Sequence, residues 1–144
     1  MKRSAYSPAV FGRVIQAQYF RAGNETEYLL RNTVLPFLNN EVPEKIAAYS
    51  QSIIALRRFV MFRFSDDVTV VPRDSAWFSV LQGTEVVPLQ TQLLWTEDWL
   101  GLRALDEAGG LFFGSIPGVH MQFTLDWFDE NVVTPYLSDD KAAA

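Results

Sequence analysis

Hydrophobic side chains recur every three or four residues over the first 57 positions, which is the spacing of one face of a helix. This pattern predicts three helical segments, the first ending at Ala22-Gly23 and the second interrupted at Pro36. The pattern changes at residues 58–64 and again at Leu111–Ile116, where short apolar runs end in turn residues. Such runs are too short for helices and are typical of strands that are buried on both faces.

Helical periodicity returns after each of these predicted strands. A helix is predicted from Thr96 to about Ala108, and a last helix is predicted to begin after a cap at Thr124. Residues 65–67 are a predicted turn after the first strand. Residues 68–71 either continue the strand beyond this turn or lie outside it, and a proline at position 72 ends any such continuation. The order strand, helix, strand, helix favours a parallel α/β sheet.

The composition is that of one globular domain, with 144 residues of which 49% are hydrophobic. Twelve Lys and Arg residues stand against 17 Asp and Glu residues, without a basic run, so no nucleic-acid partner is predicted. No stretch approaches the roughly 18 apolar residues of a membrane span. Because the sequence has no cysteine and one histidine, it predicts no disulfide and no metal site.

The loops that follow the two predicted strands each contain a residue capable of acid–base chemistry. Asp74 follows the first strand and His120 follows the second, 46 positions later. Because functional groups gather at the carboxyl ends of parallel strands, we expect these two side chains to form one hydrogen-bonded pair. In a serine hydrolase, such an acid orients the imidazole, which takes the proton of the serine. On spacing alone, a surface histidine and a helix-capping aspartate remain the alternative.

Several segments of the chain resemble one known family. Residues 72–78 read Pro-Arg-Asp-Ser-Ala-Trp-Phe, and residues 118–122 read Gly-Val-His-Met-Gln. Further matching segments lie at residues 5–7, 14–19, 56–61, 87–90, 96–102 and 127–128. Taken together and in this order, they resemble the palmitoyl-protein thioesterases over nearly the whole chain.

This resemblance implies the C-terminal part of an α/β-hydrolase fold, with an incomplete, mostly parallel sheet in residues 58–137 and a tail at 138–144. Residues 1–57 resemble the helical lid insertion that covers an acyl groove. Ile15 and Gln16 are candidate lining residues of that groove, although residues at helical spacing are also typical of a core.

The implied activity is the hydrolysis of fatty acyl thioesters on the cysteines of palmitoylated proteins or peptides. The resemblance implies a Ser-His-Asp mechanism without metal or cofactor, in which Asp74 corresponds to the acid and His120 to the base. The family's serine elbow, G-x-S-x-G, is absent from this sequence. We therefore expect a C-terminal half that is inactive alone and has the N-terminal half as its partner. The alternatives are a non-catalytic lipid-binding or regulatory product of the same family and a small cytosolic interaction domain.

The resemblance also implies a lysosomal or secretory protein, although no signal-peptide pattern follows Met1 in this sequence. Asn24-Glu25-Thr26 fits the acceptor triplet for N-glycosylation, a modification that matters only on the secretory route. Asn24 is therefore a candidate glycosylation site.

Overall fold

A two-stranded parallel sheet lies at the centre of the computed structural model, which describes residues 5–11 and 13–138. Strands β1 (Phe59–Phe64) and β4 (Leu111–Ile116) pair residue for residue along their whole length. Parallel neighbours need a long crossover connection, and residues 65–110 supply it. The two predicted strands and their parallel pairing are confirmed, and the arrangement fits a partial α/β fold.

The remaining elements are short. Before β1 lie helices α1 (Pro8–Phe11), α2 (Glu25–Arg31), α3 (Leu35–Leu38) and α4 (Ala47–Ile54), with a 3₁₀ turn at Ile15–Tyr19. The crossover contains 3₁₀ turns at Arg73–Trp77 and Leu89–Thr91, the hairpin of β2 (Val80–Gln82) and β3 (Glu85–Val87), and helices α5 (Leu93–Thr96) and α6 (Leu102–Glu107). After β4, helix α7 (Leu125–Phe128) continues as a π-helix over Asp129–Leu137. Apart from residue 138, the predicted tail lies outside the described residues.

Both faces of the sheet are covered. Successive residues of a strand point to opposite sides of the sheet, so neighbouring residues of β1 pack against different parts of the molecule. Met61 packs on one side into a core made mostly of buried leucines from the crossover. On the other side, the ring of Phe62 meets that of Trp127 edge-on, with 5.8 Å between the ring centroids. The leucines of the core are Leu89, Leu94, Leu100, Leu102, Leu105 and Leu111. This two-sided burial explains why the strand sequence is apolar at nearly every position.

Three features of the crossover differ from the predictions. Residues 65–71 form turns directly after β1 and do not continue the strand. The helix predicted from Thr96 begins only at Leu102, because Asp98 and Gly101 adopt positive φ angles of 52° and 82°. Asp98 then caps α6 by accepting two of its first backbone N–H groups. The hairpin of β2 and β3 escapes the sequence pattern, because three-residue strands are too short to show a period of two.

Asn40 fastens the helical region before β1 to the crossover. It is fully buried and adopts a φ of 55°, a conformation that asparagine tolerates better than most residues. Its amide nitrogen donates to the carbonyls of Trp99, at 2.8 Å, and Ile46, and its amide oxygen accepts the N–H of Ile46 at 2.8 Å. The indole of Trp99 donates back to the carbonyl of Asn39 at 3.1 Å. These bonds join segments that are 59 positions apart.

A second anchor is built around Tyr28, which is completely buried. Its hydroxyl donates to one carboxylate oxygen of Glu41, and Arg21 donates to the other at 2.6 Å. The Arg21 guanidinium also lies 4.0 Å from the centre of the Tyr28 ring. Burial, followed by the hydrogen bond to Glu41, raises the pKa of Tyr28 above its ordinary value, so the hydroxyl remains a donor. Helix α2 is thereby held against the segment that leads to α4.

Candidate functional site

The loops that leave the carboxyl ends of β1 and β4 are joined by backbone hydrogen bonds. The N–H of Ser65 donates to the carbonyl of Ile116 at 2.8 Å, and the N–H of Asp66 donates to the carbonyl of Gly118 at 3.0 Å. These bonds extend the parallel pairing beyond the last residues of the strands. The side chains that follow in each loop are consequently held close to one another.

Asp67 and His120 meet at this edge of the sheet. Carboxylate oxygen Oδ2 of Asp67 lies 2.7 Å from Nδ1 of His120. The other oxygen, Oδ1, accepts the backbone N–H groups of Thr69 at 2.8 Å and Val70 at 2.9 Å. The Asp67 side chain is only 6% exposed, whereas that of His120 is 38% exposed. The carboxylate is therefore fixed from two sides, and the imidazole remains accessible to a reactant.

Burial of Asp67 opposes ionisation, but its hydrogen bonds outweigh this effect. The N–H of Val70, the ring of His120 and the N–H of Thr69 all stabilise the carboxylate and hold the pKa of Asp67 below its ordinary value. The group is consequently ionised even in mildly acidic solution.

An ionised carboxylate can only accept hydrogen bonds, so the contact with Asp67 assigns the proton of a neutral imidazole to Nδ1 of His120. The second ring nitrogen, Nε2, is then left as a proton acceptor. A buried acid that fixes this tautomer and stabilises the imidazolium is the acid–base half of a catalytic triad.

This structure does not contain the predicted hydrogen bond between Asp74 and His120. Asp74 lies in the 3₁₀ turn Arg73–Trp77, where its carboxylate forms an ion pair with Arg63 of β1. The Arg63 guanidinium also stacks on Trp77, 3.8 Å from the ring centroid. Because the strand ends at Phe64 and the chain turns at once, the 3₁₀ turn carries Asp74 away from the strand end and onto the Met61 side of the sheet.

A cavity of about 470 Å³ lies beside Asp74, and Trp77, Leu89 and Phe113 contribute to its wall. Neither Asp67 nor His120 is among its lining residues. Its one carboxylate is already neutralised by Arg63. We therefore place the candidate site at Asp67 and His120, where an acid and a base are in contact, and not at this cavity.

Asp67 is the partner of His120 that sequence reasoning missed. The sequence contains the signal, because Ser65-Asp66-Asp67 follows the strand directly, but such a triplet by itself predicts only the turn that ends the strand. A carboxylate two or three residues beyond a parallel strand is closer to the sheet edge than one ten residues beyond it. The sequence leaves open whether residues 68–71 belong to the strand, so it does not fix the residue at which the strand ends. The position of that end determines which of the two aspartates lies closer to His120.

The other predicted site residues lie in the region before β1. Ile15 and Gln16 begin the 3₁₀ turn Ile15–Tyr19 and are both exposed, so neither belongs to the core of the described residues. Asn24 is exposed and caps α2, since its side-chain oxygen accepts the N–H of Glu27 at 2.9 Å. In the described ranges, no cluster of three or more acidic or histidine side chains could hold a metal ion. The same ranges contain no helix long and apolar enough to cross a bilayer.

The low pKa of Asp67 predicts how stability depends on pH. Because the folded-state pKa lies below the unfolded-state value, the carboxylate stabilises the fold fully above about pH 4, and this contribution is lost as the pH falls through the lowered value. We expect Asp67→Asn to lower the free energy of unfolding at about pH 5, and the deficit to shrink towards about pH 3. Denaturant titrations at the two pH values measure it.

Asp106→Asn is the matched control for this titration, because Asp106 is an exposed helix residue. Its deficit should be small at both pH values. A deficit at Asp67 that stays constant down to about pH 3 would show that the carboxylate does not stabilise the fold through its charge.

Comparison with known proteins identifies related sequences over most of the chain. A family model described as palmitoyl protein thioesterase matches residues 1–120, a range that contains both Asp67 and His120. The chain is 34% identical over 142 residues to palmitoyl-protein thioesterase 3 of Dictyostelium discoideum. It is 32% identical over 137 residues to palmitoyl-protein thioesterase 1 of Caenorhabditis elegans. A lysosomal thioesterase of Xenopus laevis is 32% identical over 104 residues.

These matches cover much more of this chain than of its relatives. The Dictyostelium and Caenorhabditis alignments include 93% and 92% of the chain but 49% and 46% of the respective relatives. The Xenopus alignment includes 70% of the chain and 36% of the relative. The chain thus spans about half the length of the first two relatives.

Proposed function

Because this chain belongs to the palmitoyl-protein thioesterase family, we propose that it supplies the acid–base pair of a thioesterase that removes fatty acyl groups from cysteine side chains. The observation that carries this proposal is the 2.7 Å contact between the half-exposed imidazole of His120 and the buried carboxylate of Asp67. In this proposal, His120 keeps the role of base that the resemblance implies. Asp67 is proposed as the acid because it contacts His120, and Asp74, the acid that the resemblance implies, remains the proposed alternative.

In the proposed reaction, Nε2 of His120 accepts the proton of a serine hydroxyl while the serine oxygen attacks the thioester carbonyl. Asp67 stabilises the resulting imidazolium, which gives its proton to the cysteine sulfur as the carbon–sulfur bond breaks. His120 next takes a proton from water, whose oxygen attacks the acyl carbon. That proton passes to the serine oxygen as the fatty acid leaves. These steps need neither a redox partner nor an electrophilic metal, so the proposed reaction uses no cofactor.

The proposed serine belongs to an upstream half, because no G-x-S-x-G elbow occurs in this sequence. The chain is therefore proposed to be catalytically incomplete, with that half as its partner. The unpaired backbone edge of β1 is consistent with this proposal, because β1 pairs only with β4 among the described residues. The N–H groups of Phe59 and Ser65 face β4, so the alternate residues between them present their backbone groups at the opposite edge. A further strand could pair there.

The proposed substrates are palmitoylated proteins or peptides, with the acyl chain covered by the helical region before β1. Ile15 is 72% exposed and Tyr19 is 64% exposed, which leaves apolar surface on the 3₁₀ turn that also contains Gln16. We retain Ile15 and Gln16 as proposed lining residues. The same exposed apolar surface favours the second candidate function, a non-catalytic lipid-binding product of this family.

The test compares the chain alone with the chain joined to an upstream half that carries the serine elbow. With a palmitoylated cysteine peptide as substrate, we expect no hydrolysis by the chain alone and turnover by the joined protein. A fluorophosphonate should label and inhibit the joined protein only. Turnover by the chain alone would overturn the proposed incompleteness. Palmitate binding by the chain, together with an inactive joined protein, would favour the lipid-binding alternative.

We further propose a lysosomal or secretory location, on the basis of the relatives named lysosomal thioesterases. A glycan at Asn24 would fit that location. Asn24 and Thr26 are both exposed, and the cap of α2 uses only the amide oxygen of Asn24, which leaves the amide nitrogen for modification. Asn24-Glu25-Thr26 is also the only acceptor triplet in the sequence.

We expect the chain, when directed into the secretory route, to carry one glycan that a glycosidase removes with a visible change in gel mobility. Thr26→Ala and Asn24→Asp should abolish the change, whereas Thr26→Ser should preserve it. Asn24→Asp is informative because a carboxylate oxygen still caps the helix, so loss of the glycan would not follow from loss of the cap. A mobility change that persists in Thr26→Ala would contradict the assignment.

A further inference from the structure

The edge of β1 that faces away from β4 carries backbone donors without partners. These N–H groups belong to Val60, Phe62 and Phe64, because the residues that alternate with them donate towards β4. In the part of the chain that the structure describes, none of the three donates a hydrogen bond to another element. The carbonyl of Phe64 accepts only a long bond of 3.4 Å from the N–H of Asp67. Such an edge is a template for a further strand.

The residues that flank β1 carry opposite charges. Arg58 directly precedes the strand, Asp66 lies two residues after it, and both are exposed. Because β1 between them is about 16 Å long, the two side chains cannot meet within one copy of the chain. If a second copy of β1 ran antiparallel along the first, the positive end of each strand would lie beside the negative end of the other. Such a strand is therefore complementary to itself.

We propose that the free edge of β1 binds the same edge of a second copy, with the two Phe62 residues facing each other on a two-fold axis. In this register, Val60 lies opposite Phe64 of the second copy, and Arg58 lies opposite Asp66 of the second copy. The backbones exchange about six hydrogen bonds, two for each opposed pair of residues. Symmetry gives the two charged pairs, which are cross-strand neighbours on one face. The result is a sheet of four strands in the order β4-β1-β1-β4.

The charges select this register and this edge. A shift by two residues is the smallest that keeps the hydrogen-bonding groups opposed, and it places Phe64 or Val68 opposite Arg58. The outer edge of β4 is also unpaired among the described residues, but Gly110 and Pro117 flank that strand, so it has no charged pair to offer. Pro117 also lacks an N–H group at that edge.

This inference goes beyond the proposed function, which requires no second copy. The proposed upstream half and the second copy would use the same edge of β1, so they compete for it. The dimer is consequently the form of the chain when that half is absent, and its pairing shields the open edge from further association. We expect an upstream half that carries the serine elbow to convert the dimer into a complex with one copy of each half.

The test measures the dissociation constant of the dimer by sedimentation of the full chain over a concentration series. Arg58→Glu and Asp66→Arg should each raise this constant about tenfold or more, because each replaces two attractive pairs by two repulsive ones. The double variant should restore the wild-type value, since it restores opposite charges between the copies. Arg31→Glu is the matched control, because it makes the same charge change at an exposed arginine that pairs with Glu27 within α2.

A second pair of variants tests the backbone. Val60→Pro removes an N–H group that faces the free edge and none that faces β4, so it should weaken the dimer while β1 stays paired with β4. Val60→Ala keeps the N–H group and should weaken the dimer far less. These variants separate loss of the edge from loss of the side chain. They also guard against the loss of the bond that Arg58 donates to the carbonyl of Pro135 within its own copy at 3.0 Å.

A chain that stays monomeric up to about 1 mM would overturn the inference. Larger aggregates would also overturn it, because a two-fold pair uses the free edge of both copies. A dimer that the double variant fails to restore, or that Arg31→Glu weakens equally, would contradict the assigned pairing. Turnover by the joined protein without any dimer of the chain alone would count against this inference only. A dimer that forms as expected but is not displaced by the upstream half would count against the proposed function only.

Discussion

Replacing Asp67 by asparagine is expected to remove nearly all turnover from a joined protein that carries both the serine elbow and this chain. An amide can donate to Nδ1 of His120 and so favours the tautomer whose Nε2 carries the proton, which is unable to accept the proton of the serine. In serine hydrolases, this substitution lowers kcat by about 10⁴-fold while leaving the geometry intact. The measurement is kcat for a palmitoylated cysteine peptide, with KM determined in the same experiment.

Asp74→Asn is the matched variant, because it makes the same chemical change at the acid that the sequence resemblance suggests. Asp74 contacts Arg63 and lies outside the pair, so its replacement should change kcat far less than Asp67→Asn. A large loss at Asp74 with a small loss at Asp67 would restore the original assignment and overturn the one drawn from the structure.

Asn40→Ala should be the most destabilising single substitution considered for the helical region. It removes three hydrogen bonds from a fully buried site and leaves the carbonyl of Trp99 and the N–H of Ile46 without these partners. At about 1 kcal/mol for each bond, the free energy of unfolding should fall by about 3 kcal/mol. The φ of 55° adds about 1 kcal/mol, because alanine is strained in this conformation. Denaturant unfolding followed by tryptophan fluorescence measures the loss.

Two further variants separate these contributions. Asn40→Gly removes the same hydrogen bonds but tolerates the positive φ, so it isolates the loss of the side chain. Asn131→Ala removes an exposed asparagine that donates one bond within its own helix, and it should cost less than about 0.5 kcal/mol. If Asn40→Ala cost no more than Asn131→Ala, the connection between Asn40 and Trp99 would not stabilise the fold.

The sheet could be predicted from the sequence because its strands are buried on both faces. Residues 58–64 and 111–116 are continuous apolar runs between turn residues, a local signal that needs no knowledge of distant contacts. The short elements of the crossover carry no comparable signal. The late start of α6, for example, depends on positive φ angles at Asp98 and Gly101, and the asparagine anchor at position 40 depends on a tryptophan 59 positions away.

The candidate site was predictable in part for the same reason. His120 could be identified because it follows Leu111–Ile116 after a short proline and glycine loop, so its place at the strand end is unambiguous. The acid could not be identified from the sequence in this way, because Asp67 and Asp74 both follow β1. Only the turn at residues 65–71 and the attraction between Asp74 and Arg63 separate them, and both are tertiary features.

The alignment of β1 with β4 also sets the tolerance of the chemistry. Each residue advances a strand by about 3.3 Å, and a slip by two residues is the smallest that keeps the same side chains facing the core. Such a slip would carry His120 about 6.6 Å along the sheet relative to Asp67, more than twice the length of their contact. A chain misaligned in this way could bury most of its leucines and still lack the acid–base pair. Core packing that selects one alignment of the strands therefore also sets the distance between Asp67 and His120. Substitutions deep in the core can separate the two side chains even though the substituted residues contact neither of them.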